Sequence, residues 1–229
     1  MGYIYKGIPV PLVTRLLKAS NISTFVETGT SHGNTALWAS SHFQHVYTIE
    51  IAEAIYNKTI ARPQFKDIKN IHFLKGSSLD VLPGIMPKLE DNTMFWLDGH
   101  YSGFDTGGAD NECPVIEELK IVSQCKNAIV LIDDALCFLG PPVPPHNPAQ
   151  WPRIDEIFAT IHHYFPAHYT TIIDDVIVCV PKNLKEILDQ DWLENLNKRY
   201  KGPSLGKRTK NLIVKAAVKS RDMIKNKEK

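Results

Sequence analysis

Residues 24–50, TFVETGTSHGNTALWASSHFQHVYTIE, decide the fold. They read as strand, Gly-bearing turn, helix and strand, with an acidic residue closing each strand, Glu27 and Glu50. That is the layout of a nucleoside-binding βαβ unit. Gly29 and Gly33 let the backbone turn tightly and approach a ligand closely, and the N–H groups that open the helix from about His32 are placed to hold a carboxylate or phosphate. Glu50 follows the turn by roughly 20 residues, where such units accept hydrogen bonds from both hydroxyls of a ribose.

Spacing selects among nucleoside ligands. A dinucleotide fingerprint needs glycines spaced G-x-G-x-x-G, and here its second and third positions fall on Ser31 and Asn34, which argues against NAD. No Gly-Lys-Ser/Thr follows, so the Walker phosphate loop fails as well. What remains is Glu27-x-Gly29-x-Ser31-x-Gly33. On these residues the chain resembles the class I S-adenosylmethionine-dependent methyltransferases, whose first motif is an acidic residue followed by alternating glycines or small residues at this turn. The stretch GTSHG also satisfies G-x-S-x-G, the nucleophile elbow of α/β-hydrolases, with Ser31 as the nucleophile. In a hydrolase the elbow follows a central strand reached after several others, whereas here a single helical segment precedes it. An Asp and a His do follow in the chain order of a triad, so a serine hydrolase is the second reading.

Length and composition bound the rest. At 229 residues with 43% hydrophobic content the chain suits one well-buried α/β domain with small additions. The net charge of +1 is unevenly spread: residues 201–229 carry ten Lys/Arg and two Asp/Glu, a net of +8, which leaves −7 for residues 1–200. The four cysteines, Cys113, Cys125, Cys137 and Cys179, show no C-x-x-C spacing, and no signal peptide precedes the first strand. Free thiols and a cytoplasmic location are the expectation. No apolar run approaches the roughly 20 residues that span a bilayer, so no transmembrane segment is expected. Residues 211–229 place Ile213, Ala217 and Ile224 on one helical face among lysines, a pattern open to membrane-surface contact as well as to a solvated end. A single basic run does not make a nucleic-acid site.

Along the chain, residues 9–19 read as a helix with Leu12, Leu16 and Leu17 on one face. Strands are expected at 24–28, 45–50, 70–75, 93–98, 127–133, 169–174 and 176–181, and helices at 33–41, 51–61, 77–82, 114–124 and 152–165. Asp174-Asp175 makes a tight turn between the last two strands. The predicted architecture is a doubly wound, seven-stranded, mostly parallel α/β sheet whose last strand is antiparallel. Its parts are an N-terminal helical segment (1–23), the sheet domain (24–181) and a basic, helical C-terminal extension (182–229). This sheet matches the class I methyltransferase fold, a resemblance that covers about residues 20–181.

The chemistry gathers at the carboxyl ends of the strands, where ligands of open α/β sheets bind. The fourth strand ends in Asp98 and the fifth in Asp133-Asp134, so three carboxylates converge and repel unless something positive sits among them. A hard divalent cation with oxygen ligands, most simply Mg²⁺, meets that need, and no His or Cys cluster argues for zinc. Two loops leave the same edge: residues 101–111, rich in glycine, and residues 139–152, with six prolines. Tyr101, His146 and Trp151 on these loops are the candidates for a wall against a sugar ring.

Asp98 and the doublet Asp133-Asp134 are similar to the metal-binding positions of the macrocin-type sugar O-methyltransferases of antibiotic pathways. In that family the residue two after the first Asp is the general base. Here that position is His100, where the family usually has Asp. The resemblance implies S-adenosylmethionine and Mg²⁺ as cofactors and a small-molecule or glycan hydroxyl as acceptor, and a homo-oligomer is compatible with it. It further implies that Glu27, Thr28, Gly29, Thr30, Ser31 and Gly33 hold the donor's amino-acid end, Glu50 the ribose, and Ser77, Ser78 and Asp98 further parts of the donor. A metal bridging two oxygens would acidify the acceptor hydroxyl while His100 takes its proton. A third reading keeps the nucleoside site without catalysis.

Overall fold

The computed structural model describes residues 7–103, 106–140 and 142–200. The chain divides into two compact units, Met1–Leu188 and Asp189–Lys229, and the sheet belongs to the first. The amphipathic pattern expected at 211–229 lies outside the described residues. No helix among the described residues is long and apolar enough to cross a membrane.

Seven strands form one sheet: β1 (Thr24–Thr28), β2 (His45–Glu50), β3 (Ile71–Lys75), β4 (Met94–Leu97), β5 (Ile129–Ile132), β6 (His168–Ile173) and β7 (Val176–Pro181). Their order is β3-β2-β1-β4-β5-β7-β6. β1 to β5 pair in parallel, and β7 runs antiparallel to both β5 and β6. Every strand foreseen from the sequence is present. The final hairpin does not simply extend the edge, because β7 inserts between β5 and β6. The burial patterns explain the choice: residues 176–180 are buried throughout, whereas β6 is half-buried and tolerates an edge. Asp174, at φ 54°, makes the turn as expected.

The central strands β1, β4 and β5 are buried along their whole length, as parallel strands covered on both faces must be. Alternation divides the core. Val26, Ile49, Phe95, Leu97, Val130 and Ile132 pack with the buried residues of α4 (Ser78–Ile85), α5 (Val115–Val122) and α6 (Ile154–Tyr164). Phe25, Val46, Met94, Trp96, Ile129 and Leu131 face the other way, with α1 (Val10–Ala19) and α2 (Asn34–Ser40), while α3 (Glu53–Ile60) follows β2. α1 therefore covers part of one sheet face through Leu12, Val13 and Leu16. α4 runs past the expected stop at residue 82, through Pro83 and Gly84, because Leu82 and Ile85 are both buried against the sheet and packing overrides propensity.

Two glycines separate local strain from packing. Gly29 has φ +92°, and a Cβ there would stand 2.2 Å from the Asp98 carbonyl oxygen. Gly84 has nothing within 4 Å of its would-be Cβ. Gly29→Ala is expected to lower the unfolding free energy in urea by about 2–4 kcal/mol. Gly84→Ala is expected to raise it by about 0.5–1 kcal/mol. Equal effects at the two positions would contradict the close approach of β1's turn to β4.

Candidate active site

The turn after β1 is pinned from two sides. The N–H groups of Gly29 and Thr30 both donate to the carbonyl of Ile49, at 2.9 and 3.1 Å. Glu50, the last residue of β2, then clamps the next step: Ser31 N–H donates to Oε2 at 2.8 Å and Ala52 N–H to Oε1 at 2.9 Å. The Thr59 hydroxyl donates to the Ser31 carbonyl at 2.6 Å and fixes the far side. Ser31 accordingly sits at φ 47°. Among the described residues its side chain makes no hydrogen bond to an imidazole, so the arrangement a hydrolase nucleophile needs is not built around it.

A cleft of about 760 Å³ opens at the carboxyl ends of the strands. Glu27, Thr28, Gly29, Thr30, Ser31, Glu50, Ser77, Ser78 and Asp98 all line it, together with His100 and Asp133. Of the expected donor contacts only Gly33 turns away: its would-be Cβ lies 2.7 Å from the Phe65 ring, so its φ of +70° serves to seat α2 against the core. The Ser77 hydroxyl accepts from Leu79 N–H at 3.3 Å and caps α4, which places its backbone on the cleft rim.

Two glutamates face the cleft in different surroundings. Glu50 is buried, with one N–H on each oxygen. Glu27 is 1% exposed, and its Oε2 has no hydrogen-bond partner among the described residues. Burial pushes its carboxyl up to about 8, against the weaker pull of the Thr48 and Thr35 hydroxyls. A buried carboxyl with a bare oxygen facing a cleft is matched to a cationic ligand group.

At the acidic end the structure corrects the expected metal centre. Among the described residues the His100 side chain, 5% exposed, is a positive partner of two of these carboxylates: its Nε2 lies 2.8 Å from Asp134 Oδ2 and 3.7 Å from Asp98 Oδ1. Burial alone would depress the imidazole, but the Asp134 hydrogen bond and the charges of Asp98, Asp134 and Asp133 hold it above its ordinary range. Burial likewise raises Asp134, yet His100 reverses this and holds it below the usual carboxylate range. Asp98, raised by burial and partly relieved by His100, stands at about 6, and Asp133, raised by burial and by its acidic neighbours, at about 8. Asp133 Oδ1 accepts the Asp134 N–H at 2.9 Å, and Asp134 does not line the cleft. Among the described residues no group of three or more His, Cys, Asp or Glu side chains is arranged to hold a metal ion. The expected Mg²⁺ triad of Asp98, Asp133 and Asp134 does not fit this arrangement, since the imidazole stands between Asp134 and Asp98.

The expected substrate wall also moves. Tyr101, His146 and Trp151 do not line the cleft. Trp151 is buried in the core cluster, its ring 5.4 Å from that of His100 and its Nε1–H donating to Glu112 Oε2 at 2.7 Å. His146 is turned to the same carboxylate at 3.3 Å, and the Tyr101 ring lies edge-on to His146 at 5.9 Å. The residues of this region that do line the cleft are Ser102, Gly103, Thr106, Gly107, Gly108, Asp110 and Asn111. Sequence reasoning missed Glu112 and Asp175. Asp175 accepts the N–H groups of Ala135 on its carbonyl and of Leu136 on Oδ1, both at 2.9 Å, and so holds the turn in which Asp134 takes φ 54°. Its place in the doublet Asp174-Asp175 signalled only a hairpin.

Glu27 makes the electrostatics testable. Its folded pKa of about 8 exceeds the ordinary 4.5, so the folded protein keeps a proton that the unfolded chain releases. The stability this contributes is complete below the unfolded value and is lost as pH rises through the folded one. Glu27→Gln keeps the shape and removes the titration. Its unfolding free energy is expected to gain on wild type by on the order of a few kcal/mol between about pH 5 and pH 9. Parallel pH–stability curves would show that the carboxyl is not held neutral.

No protein-family model matches the chain, and no curated protein matches it. Solved structures do. A Klebsiella pneumoniae protein assigned as an O-methyltransferase superposes with a TM-score of 0.57 at 10% identity, covering 77% of this chain and 82% of its own. An O-methyltransferase from Bacillus cereus, in complex with SAH, gives 0.55 at 14% identity, covering 77% and 83%. Cofactor-bound Rv0187 from MTB gives 0.54 at 13%, covering 79% and 84%. The strand order, the antiparallel β7 and these superpositions together establish that the chain has the class I methyltransferase fold.

Proposed function

We propose that this chain is an S-adenosylmethionine-dependent O-methyltransferase acting on a hydroxyl of a sugar or another polyhydroxyl small molecule. The observation that carries the reading is that one cleft holds Glu27 with a bare buried oxygen, Glu50 at the end of the next strand, and the His100–Asp134 pair. The residues fit the donor. Glu27 matches an ammonium group, each Glu50 oxygen keeps a lone pair for a ribose hydroxyl, and Gly29 leaves the turn bare. Ser77 and Ser78 are assigned to the adenine edge. When bound, the donor supplies an electrophilic methyl group on a sulfonium.

The chain's own residues then handle the acceptor. With Nε2–H donating to Asp134, the basic nitrogen of His100 is Nδ1, which makes no hydrogen bond among the described residues. The acceptor's proton is assigned to Nδ1, and Asp134 stabilises the imidazolium that forms while fixing the tautomer. Ser102, Thr106, Asp110 and Asn111 give the cleft hydroxyl, carboxylate and amide partners that suit a polyhydroxyl acceptor. No step is assigned to Mg²⁺. The hydrolase reading loses its support, since Ser31 and the His–Asp pair do not meet.

Transfer of a labelled methyl group from S-adenosylmethionine to a panel of neutral glycosides, with and without EDTA, tests the proposal. Activity is expected to survive the chelator, and His100→Ala is expected to slow transfer by roughly 10²- to 10⁴-fold with donor binding intact. Because the carboxylates hold His100 above its ordinary value near 6.5, the wild-type rate is expected to rise with pH along a limb above that value. The variant should lack that limb. Abolition by EDTA would return the reaction to a metal, and donor binding without transfer to any acceptor would favour a non-catalytic binding protein.

A further inference from the structure

Glu112 lies outside the cleft, yet it joins the two loops that leave β4 and β5. It is 4% exposed. Its carboxylate collects the Asn147 N–H at 3.0 and 3.1 Å, the Trp151 indole N–H at 2.7 Å and His146 Nδ1 at 3.3 Å. Its own N–H donates to Gln150 Oε1 at 2.8 Å, and its carbonyl accepts from Tyr101 N–H at 2.7 Å. A buried carboxylate with this many donors is stable only where all of them converge, so it fixes the proline-rich segment in one place. Trp151 carries that fixity to the site. Its ring meets the His100 ring at 5.4 Å and 60°, an edge-to-face geometry that restricts how the imidazole can rotate.

We propose that Glu112 is a positioning residue for His100, acting through Trp151: it holds the indole that sets the plane of the imidazole, while Asp134 sets its tautomer. The role in catalysis rests on reading His100 as the base, but the positioning itself does not. Burial pushes the Glu112 carboxyl up, and the bonds from Trp151, Asn147 and His146 outweigh this and keep it ionised. Glu112→Gln replaces an acceptor oxygen with an NH₂ group that faces other donors, and Trp151→Phe keeps an aromatic ring, smaller than the indole, while removing the N–H.

The test is the ring ¹⁵N–¹H spectrum of the full chain, with the His100 signals identified by their loss in His100→Asn. In Glu112→Gln these signals are expected to shift and broaden, and Trp151→Phe should reproduce the change. The double variant should add nothing to either, because both break one link. Ile157→Val, a change elsewhere in the same core, should leave them in place. In the transfer assay Glu112→Gln should lower turnover about tenfold with the KM for the donor unchanged. A folded Glu112→Gln or Trp151→Phe with unmoved His100 signals, or effects that add, overturns the proposal. If Glu112→Gln does not fold, Trp151→Phe decides alone. A wild-type chain that binds no S-adenosylhomocysteine would sink the methyltransferase reading and leave this spectroscopic result standing.

Discussion

The Gly29 backbone approaches the end of β4 so closely that a methyl group there would overlap the Asp98 carbonyl. That contact allows the turn after β1 to sit between the ends of β2 and β4 instead of arching over them. From this position it donates two hydrogen bonds to the Ile49 carbonyl and one to Glu50, and the floor of the cleft is set. Because Asp98 forms the other side of the contact, the same geometry fixes where the chain leaves β4, and with it His100. The Glu27–Glu50 end of the cleft and its His100 end are thus referred to one point in the backbone.

The second constraint is electrostatic. Asp98, Asp133 and Asp134 are brought together by the parallel register of β4 and β5 and would destabilise one another if all were charged. The chain meets this in two ways: Asp133 is pushed toward its neutral form, and His100 is drawn toward its charged form between Asp134 and Asp98. A histidine two residues after Asp98 therefore changes the character of the site, since a neutral or acidic residue there would leave the carboxylates in want of another cation. Glu27 at the other end follows a similar logic, as a carboxyl that burial pushes toward its neutral form.

The strands and the Glu27–Glu50 end of the cleft were legible because their signals are local. Strand periodicity, the Gly29 turn and Glu50 all lie within residues 24–50, and the parallel sheet makes the placement of Asp98 and Asp133 follow from strand ends alone. What failed was what depends on contacts distant in sequence. Glu112 is invisible because the partners of its carboxylate lie 34 to 39 residues away, and Trp151 reads as a surface aromatic until Glu112 draws its N–H inward. Gly33 was assigned to the ligand because its conformational freedom could be read but the Phe65 ring beside it could not. The metal was expected from strand ends alone, and the His100 side chain that stands between Asp134 and Asp98 could not be placed from the sequence.

Titration calorimetry of S-adenosylhomocysteine into the wild-type chain and Glu50→Ala tests the central claim most directly. The account predicts one site per chain in the wild type and a loss of about 1.5–3 kcal/mol in a folded Glu50→Ala, the usual worth of charge-assisted hydrogen bonds to the ribose. Absence of binding in the wild type, or equal affinity in the two proteins, would contradict it.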